Sequence, residues 1–224
     1  MATGPTALKV SKAKLKNPLL ITSPQEASLY LAQTNTSMAP IIKKYGLCEL
    51  KWRKDRHSRF AALVETICFQ QLAGNAARTI HGRVVSATGG RITVESISST
   101  SDEQLKSAGL SANKIISIRS LVEHIGNGKL KLSQVSKMSN DDVVEHLIQV
   151  KGIGPWSAHM FLMERLQRLD IWPTGDYGVR VGISKILGKK EVVTEKQCLA
   201  LGDSCTPFRS VLAWYCWKSA DDKQ

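Results

Sequence analysis

Acidic residues are the first scarcity in this chain of 224 residues. Asp and Glu number 19 against 31 Lys and Arg, a formal net charge of +12 at neutral pH. A surface so short of negative charge is ill suited to a cationic partner and points to a polyanion, nucleic acid foremost. Long apolar runs are also missing. None approaches the roughly 18 residues of a membrane span, and the N-terminus has no basic region followed by an apolar stretch and a small-residue cleavage site. A soluble, intracellular protein is expected. Cysteine is sparse and unpatterned: Cys48, Cys68, Cys198, Cys205 and Cys216 are odd in number and include no CxxC pair. That argues against a disulfide framework or a zinc site and predicts reduced core residues. Alternating apolar and polar runs are few, so strands are at most a minor element before residue 60.

What is present can fold. Hydrophobic residues make up 42% of the chain, enough for a core, and the length suits one large domain or two lobes sharing a core. Residues 1–17, with Lys9, Lys12, Lys14 and Lys16, read as a flexible basic lead-in, and a basic stripe runs from Lys43 to Arg59. Ser23-Pro24 opens a helix to about Thr34. Phe60, Leu63, Val64 and Ile67 recur at helical spacing, and that helix ends near Gln70-Gln71-Leu72-Ala73-Gly74. Another runs from Asn75 to about Val85 until Gly89-Gly90 breaks it. Ser101 with Gln104, Ser111, and Ser139 with Asp142 are the starts of further helices. The pattern predicts an all-α protein of about ten helices.

The most informative stretch runs Leu147-Ile148-Gln149-Val150-Lys151-Gly152-Ile153-Gly154-Pro155-Trp156-Ser157-Ala158. A helix ends in Gly-x-Gly and Pro155 starts the next, which makes a short hairpin. Two readings stand: a plain corner between helices, or an anion site where bare backbone N–H groups meet a phosphate. Asp176, in Trp172-Pro173-Thr174-Gly175-Asp176-Tyr177-Gly178, also has two. It is an N-cap alone, or a cap whose carboxylate also stabilises an oxocarbenium-like sugar as a glycosidic bond breaks.

Gly-Ile-Gly-Pro-Trp-Ser-Ala followed by Trp-Pro-Thr-Gly-Asp resembles the helix–hairpin–helix superfamily of DNA glycosylases. Within it the chain is similar to the alkylation-repair branch, 3-methyladenine DNA glycosylase II. The helix end at Phe60 to Gly74, Gly109-Leu110-Ser111 with Lys114, and Thr206-Pro207-Phe208-Arg209-Ser210 through Ala213-Trp214-Tyr215 to Trp217 match further landmarks, so the likeness spans about residues 24–218.

The resemblance implies one glycosylase domain over residues 18–224, built as two interleaved helical lobes with the active-site cleft between them and the hairpin at 147–158. The implied activity is base excision repair: an alkylated purine is flipped out of double-stranded DNA and its N-glycosidic bond is hydrolysed. Asp176 takes the catalytic position. Trp156 and Trp217, with Trp172 and Tyr177, fall in the base pocket, where indole faces attract an electron-poor purine. Leu72 falls where the family places its wedge, a core leucine being its other reading, and Gln71 beside it is a further DNA-binding candidate. Lys151, Gly152, Ile153, Gly154 and Ser157 fall on the DNA-binding hairpin.

The carbonyls of Ile148, Val150 and Gly152 match those that hold a structural monovalent cation, Na+ or K+; no cofactor is otherwise required. Cys198 and Cys205 are spaced like two iron–sulfur ligands of some relatives, but Phe208 stands at the next, so no such cluster is expected. Trp156 occupies the position of the lysine that strand-cleaving members use, which implies a monofunctional enzyme leaving an abasic site. Gly74 replaces a usual Ser, so capping of the next helix would pass to Asn75, and His159 replaces a common acid. Trp52 and Trp214 are expected to be core. A monomer that meets no membrane is the expected form. Two alternatives stay open: a hairpin module that binds lesions without catalysis, and a glycosylase for another base such as uracil.

Overall fold

A computed structural model describes residues 17–50, 58–72 and 74–222. The lead-in through residue 16, the centre of the basic stripe with Trp52, and Ala73 lie outside the described residues. Within them the chain is helical with no strand, so the minor strand element allowed before residue 60 does not occur there. Two compact units divide the chain: residues 1–51 with 168–224, and residues 52–167.

The first unit holds α1 (Pro24–Thr34), α2 (Met38–Tyr45) and three C-terminal helices. The second holds α3 (Arg59–Phe69), α4 (Gly74–Ala87), α5 (Val94–Ser99), α6 (Asp102–Ser107), α7 (Ala112–Gly126), α8 (Asn140–Ile148) and α9 (Pro155–Met160). A π-helical turn, Phe161–Arg165, continues α9. The chain then re-enters the first unit with α10 (Tyr177–Ile186), α11 (Glu195–Leu201) and α12 (Arg209–Asp221).

Hydroxyl caps set most of the helix starts. Ser23 accepts from the Glu26 N–H, Ser58 from Ala61 and Ser111 from Lys114, while Ser101/Gln104 and Ser139/Asp142 form reciprocal capping boxes. Each satisfies N–H groups that an α-helix leaves unpaired at its start. The expected handover of a cap to Asn75 does not occur. Asn75 lies inside α4, and its side-chain oxygen accepts from Arg78 instead.

The second unit is organised around α7. Ile115, Ile118 and Leu121 are buried there, and Arg119 ties α5 and α6 to it through Asp102 and the carbonyls of Ile97 and Thr100. Lys114 donates to the Cys68 carbonyl at 2.8 Å, placing a cation at the C-terminal end of α3.

In the first unit α12 is the central helix. Residues 210–216 are all buried, so it lacks the polar face of a surface helix. The Tyr215 hydroxyl meets the Gly46 carbonyl at 2.8 Å and Ser28 Oγ at 3.0 Å, joining α12 to the α1–α2 region. Trp214 is buried, edge-on to Tyr215, as expected of a core tryptophan. Against α12 lies α10, and their closest approach is at Gly182, where an added Cβ would stand 1.9 Å from the Cys216 carbonyl oxygen.

Ala in place of a helical Gly normally stabilises by roughly 1 kcal/mol. Gly182→Ala reverses that sign, because the methyl meets backbone that cannot swing aside, and a loss of about 2 kcal/mol or more is expected. Urea denaturation of the two proteins measures it; a midpoint equal to wild type contradicts the packing described.

Candidate functional site

The hairpin between α8 and α9 is shaped by its glycines. Gly152 has φ +84°, and a Cβ there would lie 1.9 Å from Ser117 Oγ. Conformation and space therefore both demand glycine. The seat is α7, where Ser120 Oγ also accepts from the Lys151 N–H at 3.1 Å. Gly154 differs. Its φ of −99° is open to any residue, and a Cβ would meet nothing within 4 Å. Nothing among the described residues requires a glycine here, and its bare backbone is open to the approach of an external ligand. The N–H groups of Gly152 and Gly154 meet no acceptor among the described residues.

Two hairpin residues expected on the DNA-binding hairpin make internal contacts. Ile153 is buried and its N–H is taken by the Val150 carbonyl, so its side chain anchors the turn. Ser157 is buried as well, and its hydroxyl accepts from Gln70 Nε2 at 2.9 Å. The same nitrogen donates to the Gly152 carbonyl at 2.9 Å, so Gln70 brackets the end of α3 to the hairpin. The sequence pattern singled out Gln71 and passed over Gln70, although the paired glutamines at a helix end were the available signal. Gln71 is exposed with φ +54° and Leu72 beside it is 40% exposed. A left-handed non-glycine residue and a bare leucine at one loop exclude the core reading of Leu72.

Beside this loop lies a cavity of about 310 Å³, at the small end of ligand sites. Phe69, Leu72, Trp156, Met160 and Phe161 supply apolar and aromatic wall; Glu65, Thr66, Glu164 and Arg165 supply polar groups. Trp156 is 36% exposed. The π-helical turn brings Phe161, Glu164 and Arg165 to this wall, a kind of distortion that recurs at functional sites.

Asp176, in the first unit, is the N-cap of α10. Its Oδ1 accepts the Val179 N–H at 2.8 Å and the Trp217 indole N–H at 3.1 Å. Trp217 is thus joined by its polar edge to the carboxylate, a contact the sequence did not disclose. Trp172 does not match its pocket role. Only 7% exposed, it donates to the Cys198 carbonyl at 2.9 Å and packs where Gly202 has no side chain, so it has no face for a base. Tyr177 is 64% exposed with Arg180 over its ring.

All five cysteines are buried and unpaired. Burial pushes the thiols of Cys48 and Cys68 up to about 12 and raises Cys216 strongly, which removes them as nucleophiles. Among the described residues no cluster of three or more His, Cys, Asp or Glu could hold a metal. The hairpin carbonyls are a different donor set, neutral oxygens suited to a hard monovalent cation. Val150 O and Gly152 O each accept one hydrogen bond and keep a second lone pair, so the residues fit such an ion.

A hairpin with two glycines and a carboxylate at a helix start thus stand on a frame that is all-helical among the described residues. The chain matches the family described as HhH-GPD superfamily base excision DNA repair protein over residues 64–206, a span containing the hairpin and Asp176. It is 29% identical to DNA-3-methyladenine glycosylase 1 of Schizosaccharomyces pombe over 90% of both chains. The crystal structure of a Bacillus halodurans DNA-3-methyladenine glycosidase is 34% identical, covers 89% of this chain and 90% of its own, and superposes with a TM-score of 0.75. A Schizosaccharomyces pombe 3-methyladenine DNA glycosylase in complex with abasic DNA is 29% identical, with a TM-score of 0.80 over 86% of this chain and 95% of that one. The chain belongs to the helix–hairpin–helix superfamily of base excision DNA repair proteins, in its alkylation-repair branch.

The two hairpin glycines separate by experiment. Gly152→Ala is expected to lower stability by about 2 kcal/mol through strain and overlap. Gly154→Ala should leave the melting temperature unchanged and weaken DNA binding several-fold in a fluorescence titration. Equal affinity of Gly154→Ala and wild type refutes the ligand-approach argument.

Proposed function

We propose that this protein is a monofunctional DNA glycosylase that releases alkylated purines of the 3-methyladenine and 7-methylguanine type from duplex DNA, leaving an abasic site. The observation that carries this reading is Asp176: a carboxylate fixed at a helix start by two N–H donors, in a chain otherwise rich in positive charge. Breaking a glycosidic bond builds positive charge on the sugar, and a preorganised carboxylate stabilises that charge without reorganising during the reaction.

Each remaining part has a physical task. The Gly152 and Gly154 N–H groups and the exposed Lys151 hold a backbone phosphate. The bare Leu72 fills the gap left by a flipped nucleotide, with Gln71 at its side. Trp156 offers an indole face to an electron-poor ring from the wall of the cavity. With Trp156 at its position on the hairpin helix, no amine stands there to attack the sugar, which supports hydrolysis without strand cleavage. A structural Na+ or K+ on the carbonyls of Ile148, Val150 and Gly152 would rigidify the turn. The protein acts as a monomer on DNA inside the cell; no helix among the described residues is long and apolar enough to cross a membrane.

Asp176→Asn tests the reading. Release of methylated bases from methylated duplex DNA should fall by about 10²-fold or more, with DNA binding retained and no nicking in either protein. Near-normal release by a folded Asp176→Asn removes Asp176 from the chemistry. A wild type that binds DNA yet frees neither methylated bases nor uracil supports a lesion-binding module instead.

A further inference from the structure

The arrangement around Asp176 contains a third partner with no side chain. Gly178 follows two residues later in the first turn of α10. A Cβ on Gly178 would lie 3.1 Å from Trp217 Cδ1 and 3.2 Å from Asp176 Oδ1, tighter than ordinary contact with both. Gly178 lies within α10 at a negative φ, so its backbone does not call for glycine. The missing methyl is the space in which the indole edge reaches the carboxylate.

We propose that Gly178 and Trp217 form a clasp that sets the orientation of Asp176, and that both are positioning residues for base release. The Val179 N–H holds the carboxylate oxygen from within α10, and the Trp217 N–H adds a second donor to the same oxygen from α12. The clasp is held from below by Gly182, one helical turn further along α10. There the backbone of α12 closes on α10 at Cys216, the residue before Trp217. Trp217 acts through the carboxylate and not only as an aromatic surface. The inference rests on Asp176 being the catalytic group.

Gly178→Ala separates positioning from structural support, because the two move in opposite directions. Alanine is the better helix former, so the melting temperature should stay level or rise. The methyl displaces the indole or the carboxylate by a few tenths of an ångström, and misplacement on that scale is costly in a preorganised site. Trp217→Phe keeps an aromatic face and removes the N–H.

Single-turnover release of 7-methylguanine from methylated duplex DNA is measured for wild type, Gly178→Ala, Trp217→Phe, the double variant and Asp176→Asn. The expected result is a rate about tenfold lower for each single variant, with the half-saturating enzyme concentration within twofold of wild type. The double variant should be no slower than Trp217→Phe alone, since both act on one contact. Wild-type rates in folded Gly178→Ala, with Asp176→Asn inactive, overturn the clasp and leave the glycosylase reading standing. A Trp217→Phe that changes only half-saturation also overturns it, making the indole a wall for the base. An active Asp176→Asn overturns the reading on which the clasp rests.

Discussion

In the first unit a backbone carbonyl is set against a backbone that carries no side chain. At Gly182 the Cys216 carbonyl occupies the position of a β-carbon, and that contact fixes the spacing of α10 and α12. The contact between Trp217 and Asp176 follows from this spacing. The carboxylate stands at the head of one helix, the indole that meets it stands on the other, and neither reaches the other at a wider separation. The second unit repeats the solution at Gly152, which lets the hairpin settle on Ser117 of α7. Dispersion and burial hold these helices together, but the absence of one methyl at each contact decides where they stop.

The positions of the helices were largely legible in the sequence because their starts are written in hydroxyl side chains. Ser23, Ser101, Ser111 and Ser139 each cap the helix they precede, and capping is a local interaction that needs no tertiary partner. The hairpin was legible for the same reason, since Gly-x-Gly-Pro states backbone conformations directly. Less visible was what the side chains of those segments do. Ser157 looks like a surface hydroxyl on a helix start, yet Gln70 arrives from another helix to claim it. Trp172 looks like its fellow tryptophans until Gly202 and the Cys198 carbonyl close around it. Such partners are far apart in the chain, and periodicity carries no record of them.

The same limit explains the two glutamines. Adjacent and chemically equal, Gln70 and Gln71 are separated only by backbone geometry: the first turns inward to the hairpin, and the second takes a left-handed φ of +54° that leaves it exposed beside Leu72. A sequence shows that the pair ends a helix; only the fold shows which one holds the structure and which one stays exposed. The cavity by the π-helical turn has the same origin, because an i to i−5 hydrogen bond at Leu166 has no signature in residue type.

The buried thiols share one chemical property. Burial raises every one of the five cysteines above its ordinary value, from about 11 at Cys198 to about 12 at Cys48 and Cys68, with Cys205 and Cys216 raised too. The thiolate is the form that methylating electrophiles attack. At neutral pH the chain therefore presents almost none of it, and the agents that alkylate purines find the repair protein's sulfur chemically quiet.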